Sequence, residues 1–86
     1  MSKLPKILVV EDNEKVRESI VELLINNKEP KYEVEDAASS DEARKIIKEF
    51  EPDVILLDLR IPRTREEEPE IRNAIDVLQE VTIHNY

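Results

Sequence analysis

Two runs of four branched apolar residues, Ile7-Leu8-Val9-Val10 and Val54-Ile55-Leu56-Leu57, pass straight into carboxylates, the first into Glu11-Asp12 and the second into Asp58. Runs of this kind suit strands inside a parallel sheet covered on both faces, and the ligands of such sheets gather at the carboxyl ends of the strands. Glu11, Asp12 and Asp58 are thereby directed to one edge of one sheet.

The segments between the runs carry helical and strand periodicities. Val16, Ile20, Leu23 and Leu24 recur at offsets of three and four, which predicts a helix capped by Asp12 or Asn13, ending near Asn26 and packing that apolar face on the sheet. Tyr32 to Ala37 alternates with period two, the pattern of a strand near a sheet edge. Ser39 and Glu42 make a capping box, and Ala43, Ile46, Ile47 and Phe50 supply the stripe of a second helix. Pro52 forces an extended entry into the next strand.

Beyond Pro62 the chain reads as a charged, solvated loop over residues 62–73. Ile71, Ala74, Ile75, Leu78 and Val81 restore helical spacing, so a third helix is expected from near Glu70 to about Val81, while Thr82 to Tyr86 fits no single element. The order β-α-β-α-β-loop-α predicts an α/β fold: one domain over residues 1–86, with a three-stranded parallel sheet in the order 2-1-3 flanked by three helices. In that order the two acid-tipped strands are neighbours.

Composition narrows the chemistry. With 86 residues, 40% apolar and 40% charged, the chain is globular but its core is thin, and three aromatics, Tyr32, Phe50 and Tyr86, leave packing to aliphatic side chains. A net charge of −8 without a basic stripe argues against direct nucleic-acid binding and favours cations or basic partners. The absence of glycine removes both the phosphate-cradling loop and the dinucleotide fingerprint, which need a close backbone approach, and requires turns to use Asn, Asp or Ser. There is no cysteine, no signal-peptide core in Met1 to Lys6 and no apolar run of membrane-spanning length, so the expected location is cytoplasmic. His84 and the Lys and Arg residues of the first two helices read as ordinary surface.

Three carboxylates brought to one edge repel one another. A hard divalent cation relieves that repulsion, and Mg²⁺ favours a few carboxylates together with waters and a phosphate oxygen.

These residues resemble the receiver domain of two-component response regulators. The likeness is carried by Ile7-Leu8-Val9-Val10-Glu11-Asp12-Asn13, Val34-Glu35-Asp36-Ala37, Asp41-Glu42-Ala43 and the stretch from Pro52 through Asp58 to Pro62, and it extends from Lys6 to about Asn85. The resemblance implies a flavodoxin-like receiver fold with Asp58 as phosphoacceptor. It further implies that Glu11, Asp12 and Asp58, with the backbone carbonyl of Arg60, hold Mg²⁺, and that a sensor histidine kinase or phosphotransfer protein is the phosphodonor. A signalling module rather than an enzyme is expected.

The family pattern has five βα units, and this sequence supplies three, so the receiver fold is expected to be incomplete. The strand ending in the Ser or Thr that reads the phosphoryl group is not found here, nor is the strand carrying the Lys. Strand three then has an open edge, which predicts a homodimer through that edge or a supporting partner. The alternative reading is therefore a non-switching interaction protein built on half a receiver.

Overall fold

The computed structural model describes residues 4–85, with side chains described as far as Ile83; Met1 to Lys3, the His84 side chain and Tyr86 lie outside the described residues. Strand β1 (Lys6–Val10) leads to helix α1 (Glu14–Ile25), strand β2 (Glu33–Ala37), helix α2 (Ser40–Phe50), strand β3 (Val54–Leu57) and helix α3 (Ile71–Asn85). The sheet is parallel in the order β2-β1-β3, as the sequence predicts. No described helix is long and apolar enough to cross a membrane.

β1 organises the rest because both its edges are paired and both its faces are filled. Ile7, Leu8, Val9 and Val10 are all buried. Leu8 and Val10 point into the main core, where Ala43 and Ile47 of α2, Ala74 and Val77 of α3, and Ile61 meet them, with Ile55 and Leu57 of β3 packed alongside. Removing such side chains from water contributes roughly 1.5–3 kcal/mol each.

The helix starts follow from local chemistry. Asn13 Oδ1 accepts from the Val16 N–H at 3.0 Å, satisfying an amide that the first turn of α1 leaves open. Ser39 Oγ accepts from the Glu42 N–H at 3.3 Å, the side-chain cap of α2, and its hydroxyl donates to Glu42 Oε2 at 2.8 Å.

α3 is held to its neighbours by polar clasps as well as by Val77. Buried Glu80 accepts from Arg44 Nε of α2 at 3.1 Å, and buried Asn73 donates from Nδ2 to the Ile61 carbonyl at 2.9 Å. The helix begins at Ile71, inside the stretch expected as loop, and continues to Asn85, past the expected end at Val81. The stretch before it is not a free spacer. The Pro62 and Arg63 carbonyls accept from the Ser40 and Asp41 N–H groups at 2.9 and 3.0 Å, Ile61 bridges to Glu70, and Arg65 grips Glu42 with two 2.9 Å bonds. The segment thus caps α2, whose first amides need acceptors.

Other expectations change. α1 lies against β1 and β2, so Val16 and Leu23, expected on the sheet, are exposed, and the inward stripe is Arg17, Ile20, Val21 and Leu24. β3 consequently has one open face: Val54 and Leu56 remain 47% and 41% exposed, where a strand covered on both sides was expected. The left-handed C-cap of α2 is taken by Glu51 at φ 51°, rather than by Asn, Asp or Ser. A side chain with a Cβ pays steric strain in that conformation. Glu51→Gly is expected to raise the unfolding free energy in a urea titration by up to about 1 kcal/mol, glycine's greater unfolded-state entropy offsetting part of the relief.

Candidate functional site

The two acid-tipped strands end at the same height because the parallel register pairs Val10 with Leu57. Hydrogen bonding then runs one residue past each strand. The Asp58 N–H donates to the Val10 carbonyl and the Glu11 N–H to the Ala37 carbonyl, each at 3.0 Å. Glu11 and Asp58 are thereby side by side, and Asp12 follows in the turn before the Asn13 cap.

One carboxylate oxygen from each of Glu11, Asp12 and Asp58 lies within 4.8 Å of the other two, and all three residues are half-buried. Full charges at that separation repel by on the order of 3 kcal/mol per pair at the effective dielectric of a protein surface. The strain falls on Glu11. Burial first, then the charge and hydrogen bonding of Asp58 and a hydrogen bond with Asp12, raise its carboxyl above the ordinary range, while the Asn13 N–H at 3.1 Å from Oε2 opposes the shift.

Arg60 lies two residues past Asp58, in the turn after β3. Its backbone N–H donates to Asp58 Oδ1 at 3.2 Å, which holds the turn after β3 against the acid. An open cleft lined by Val9, Ile20, Leu56, Leu57, Glu11 and Asp58 reaches the acids from the uncovered face of β3. A small molecule can therefore approach Asp58 along an apolar wall.

The donor set suits a hard divalent cation: oxygen ligands only, anionic, half-buried and crowded enough to need neutralising. Glu11, Asp12 and Asp58 would hold Mg²⁺ there. The cations of the 62–70 segment are engaged elsewhere. Arg63 pairs with Glu67 at 3.0 Å, and Arg65 pairs with Glu42, whose carboxyl it holds below the ordinary range chiefly through its hydrogen bonds.

Arg17 was expected on a solvated helix face but is 6% exposed beneath the acidic turn. The signal lies in spacing: Ile20, Val21 and Leu24 follow it at three, four and seven residues, so a charged residue occupies the inward stripe.

The family profile described as the response regulator receiver domain matches residues 7–80. The chain belongs to that family. This receiver sequence is 45% identical over 62 residues to the protein-glutamate methylesterase/protein-glutamine glutaminase 1 of Hahella chejuensis, a match covering 71% of the chain and 17% of that relative. It is 41% identical over 64 residues to the protein-glutamate methylesterase/protein-glutamine glutaminase 2 of Vibrio vulnificus, covering 73% of the chain and 18% of the relative. The chain thus spans less than a fifth of the length of these relatives. No solved structure gives a significant match. A receiver domain is a signalling module of two-component systems, and that is the broad class of this protein.

The raised Glu11 carboxyl fixes the sign of a pH effect. A native carboxyl with a raised pKa binds its proton more tightly than the unfolded chain does, so stability falls as pH climbs from the ordinary carboxylate range to the raised value. Asp58→Asn removes a charge beside Glu11. The Glu11 carboxyl resonance is expected to titrate at lower pH in that variant, and metal-free stability at neutral pH to rise by up to about 1 kcal/mol.

Proposed function

We propose that this receiver module accepts a phosphoryl group on Asp58 from the phosphohistidine of a sensor histidine kinase or phosphotransfer protein, in the presence of Mg²⁺. The reading rests on the convergence of the Glu11, Asp12 and Asp58 carboxylate oxygens within 4.8 Å of one another at the end of two adjacent strands. It implies a cytoplasmic location, where the phosphodonor would be met.

An Asp58 carboxylate oxygen attacks phosphorus in line, forming an acyl phosphate as the bond to the donor imidazole breaks and its electron pair returns to the ring nitrogen. Mg²⁺, when bound, offsets the negative charge that gathers on the phosphoryl oxygens. Glu11, Asp12 and Asp58 would hold it, with the Arg60 carbonyl as a further ligand. The N–H of Arg60 steadies Asp58 Oδ1 and so orients the nucleophile. The cleft past Leu56 and Leu57 gives the donor its way in.

Beryllofluoride with Mg²⁺ is expected to shift the amide resonances around Asp58, and acetyl phosphate to add the mass of one phosphoryl group. Asp58→Asn should abolish both responses. Absence of both in the wild-type chain at saturating Mg²⁺ refutes the proposal.

One observation favours a second reading, an interaction module that assembles through β3. That strand pairs only with β1 among the described strands, and it carries exposed Val54 and Leu56 beside its open edge. Sedimentation equilibrium distinguishes the two readings. A dimer that dissociates on Leu56→Lys, without any acyl phosphate chemistry, favours assembly; a monomer labelled by acetyl phosphate excludes it.

A further inference from the structure

The acidic turn is held from below by one side chain, and the proposed function has no use for it. Arg17 lies in the first turn of α1, and its own N–H donates to the Asn13 carbonyl at 2.9 Å, the first regular bond of the helix. Its side chain is largely buried, with 8% of its surface exposed. Nε donates to Asp36 Oδ2 at 2.9 Å, and Nη1 donates to the Glu11 carbonyl at 3.0 Å. Asp36, at the end of β2, is itself half open to water, so the pair is buried on the arginine side only.

The consequence lies in which peptide is gripped. The Glu11 N–H is committed to the Ala37 carbonyl and the Glu11 carbonyl to Arg17, so the residue is fixed on both sides of its Cα. The gripped carbonyl belongs to the peptide joining Glu11 to Asp12, and a planar peptide held at its oxygen sets the direction in which the next residue leaves. A planar fork with donors at fixed angles can bridge a strand-end carboxylate and a backbone carbonyl together, which a single ammonium cannot do with the same geometry.

Charge alone would make Arg17 a poor neighbour for a cation site. A guanidinium beneath three carboxylates lowers their attraction for Mg²⁺, so any benefit it brings must come from geometry. We propose that Arg17 is the positioning residue of the acidic turn: by bridging Asp36 to the Glu11 carbonyl it holds Glu11 and Asp12 where they meet Asp58. Its bearing on metal binding rests on the phosphoacceptor reading above; its hold on the turn does not. Outer residues that orient metal ligands in this way change affinity by about ten- to a hundred-fold when removed.

The test uses the full chain and two substitutions. Arg17→Met removes charge and fork together, while Arg17→Lys keeps the charge and loses the fork. Mg²⁺ titration followed by amide chemical shifts is expected to show binding weakened about ten-fold or more in Arg17→Met, and weakened in the same direction in Arg17→Lys. Electrostatics without positioning predicts tighter binding in the first and no change in the second, and that result overturns the proposal. Should Arg17→Met fail to fold, Arg17→Lys decides alone.

A metal-free readout runs in parallel. Amide order parameters at Asp12 and Asn13 are expected to fall from the rigid level of about 0.85 toward 0.6 in the variants, while those of Leu8 and Val77 stay unchanged. Unaltered values at Asp12 and Asn13 overturn the proposal. If the wild-type chain binds no Mg²⁺, the phosphoacceptor reading fails, and the order parameters still decide the role of Arg17.

Discussion

The parallel pairing of β1 with β3 is the constraint on which the site depends. Matching Val10 to Leu57 leaves the next residue of each strand with its N–H committed across the sheet end, so Glu11 and Asp58 have little freedom to move apart. Register is in turn enforced by burial. A slip of one residue would turn Leu8 and Val10 out of the core made with Ala43, Ile47 and Val77, and replace them with the side chains of the other face. The apolar core therefore supplies the force that keeps like charges together.

Cations near this edge are divided between tasks. Arg17 bridges two oxygens beneath the acidic turn, Arg65 ties the segment after Pro62 to Glu42, and Arg44 meets the buried carboxylate of Glu80 between α2 and α3. None of these ion pairs includes Glu11, Asp12 or Asp58. The crowding of these three carboxylates is the electrostatic condition that makes a hard cation a suitable guest.

Much of this is legible in the sequence, since strand order, both helix caps and the meeting of the acids all follow from periodicity and local chemistry. What escapes is information that depends on coverage. Val54 and Leu56 read as buried because their run resembles that of β1, yet α1 covers only β1 and β2, and no local pattern reports which strand a helix overlies. Arg17 reads as surface because charged residues usually are, and only its place on the inward stripe indicates otherwise. Asn73, which reads as the end of a solvated loop, is buried in the first turn of α3 because its side chain bonds to the Ile61 carbonyl, a contact between residues twelve apart. Glu51 shows a similar limit, as the left-handed cap arises where α2 must end before Pro52, whatever residue stands there.

The sheet is sealed on the side of α2 and α3 and open beside β3 on the other, and the open strip borders the same cleft that leads to Asp58. Hydrophobic completion and access to the carboxylates thus share one piece of surface. Any chain that comes to rest on Val54 and Leu56 also roofs the approach to the acids, and whatever fills the acidic end changes the surface offered to that chain. Thermodynamic linkage makes the exchange reciprocal: a ligand at Asp58 that alters affinity along β3 must have its own affinity altered by the same factor.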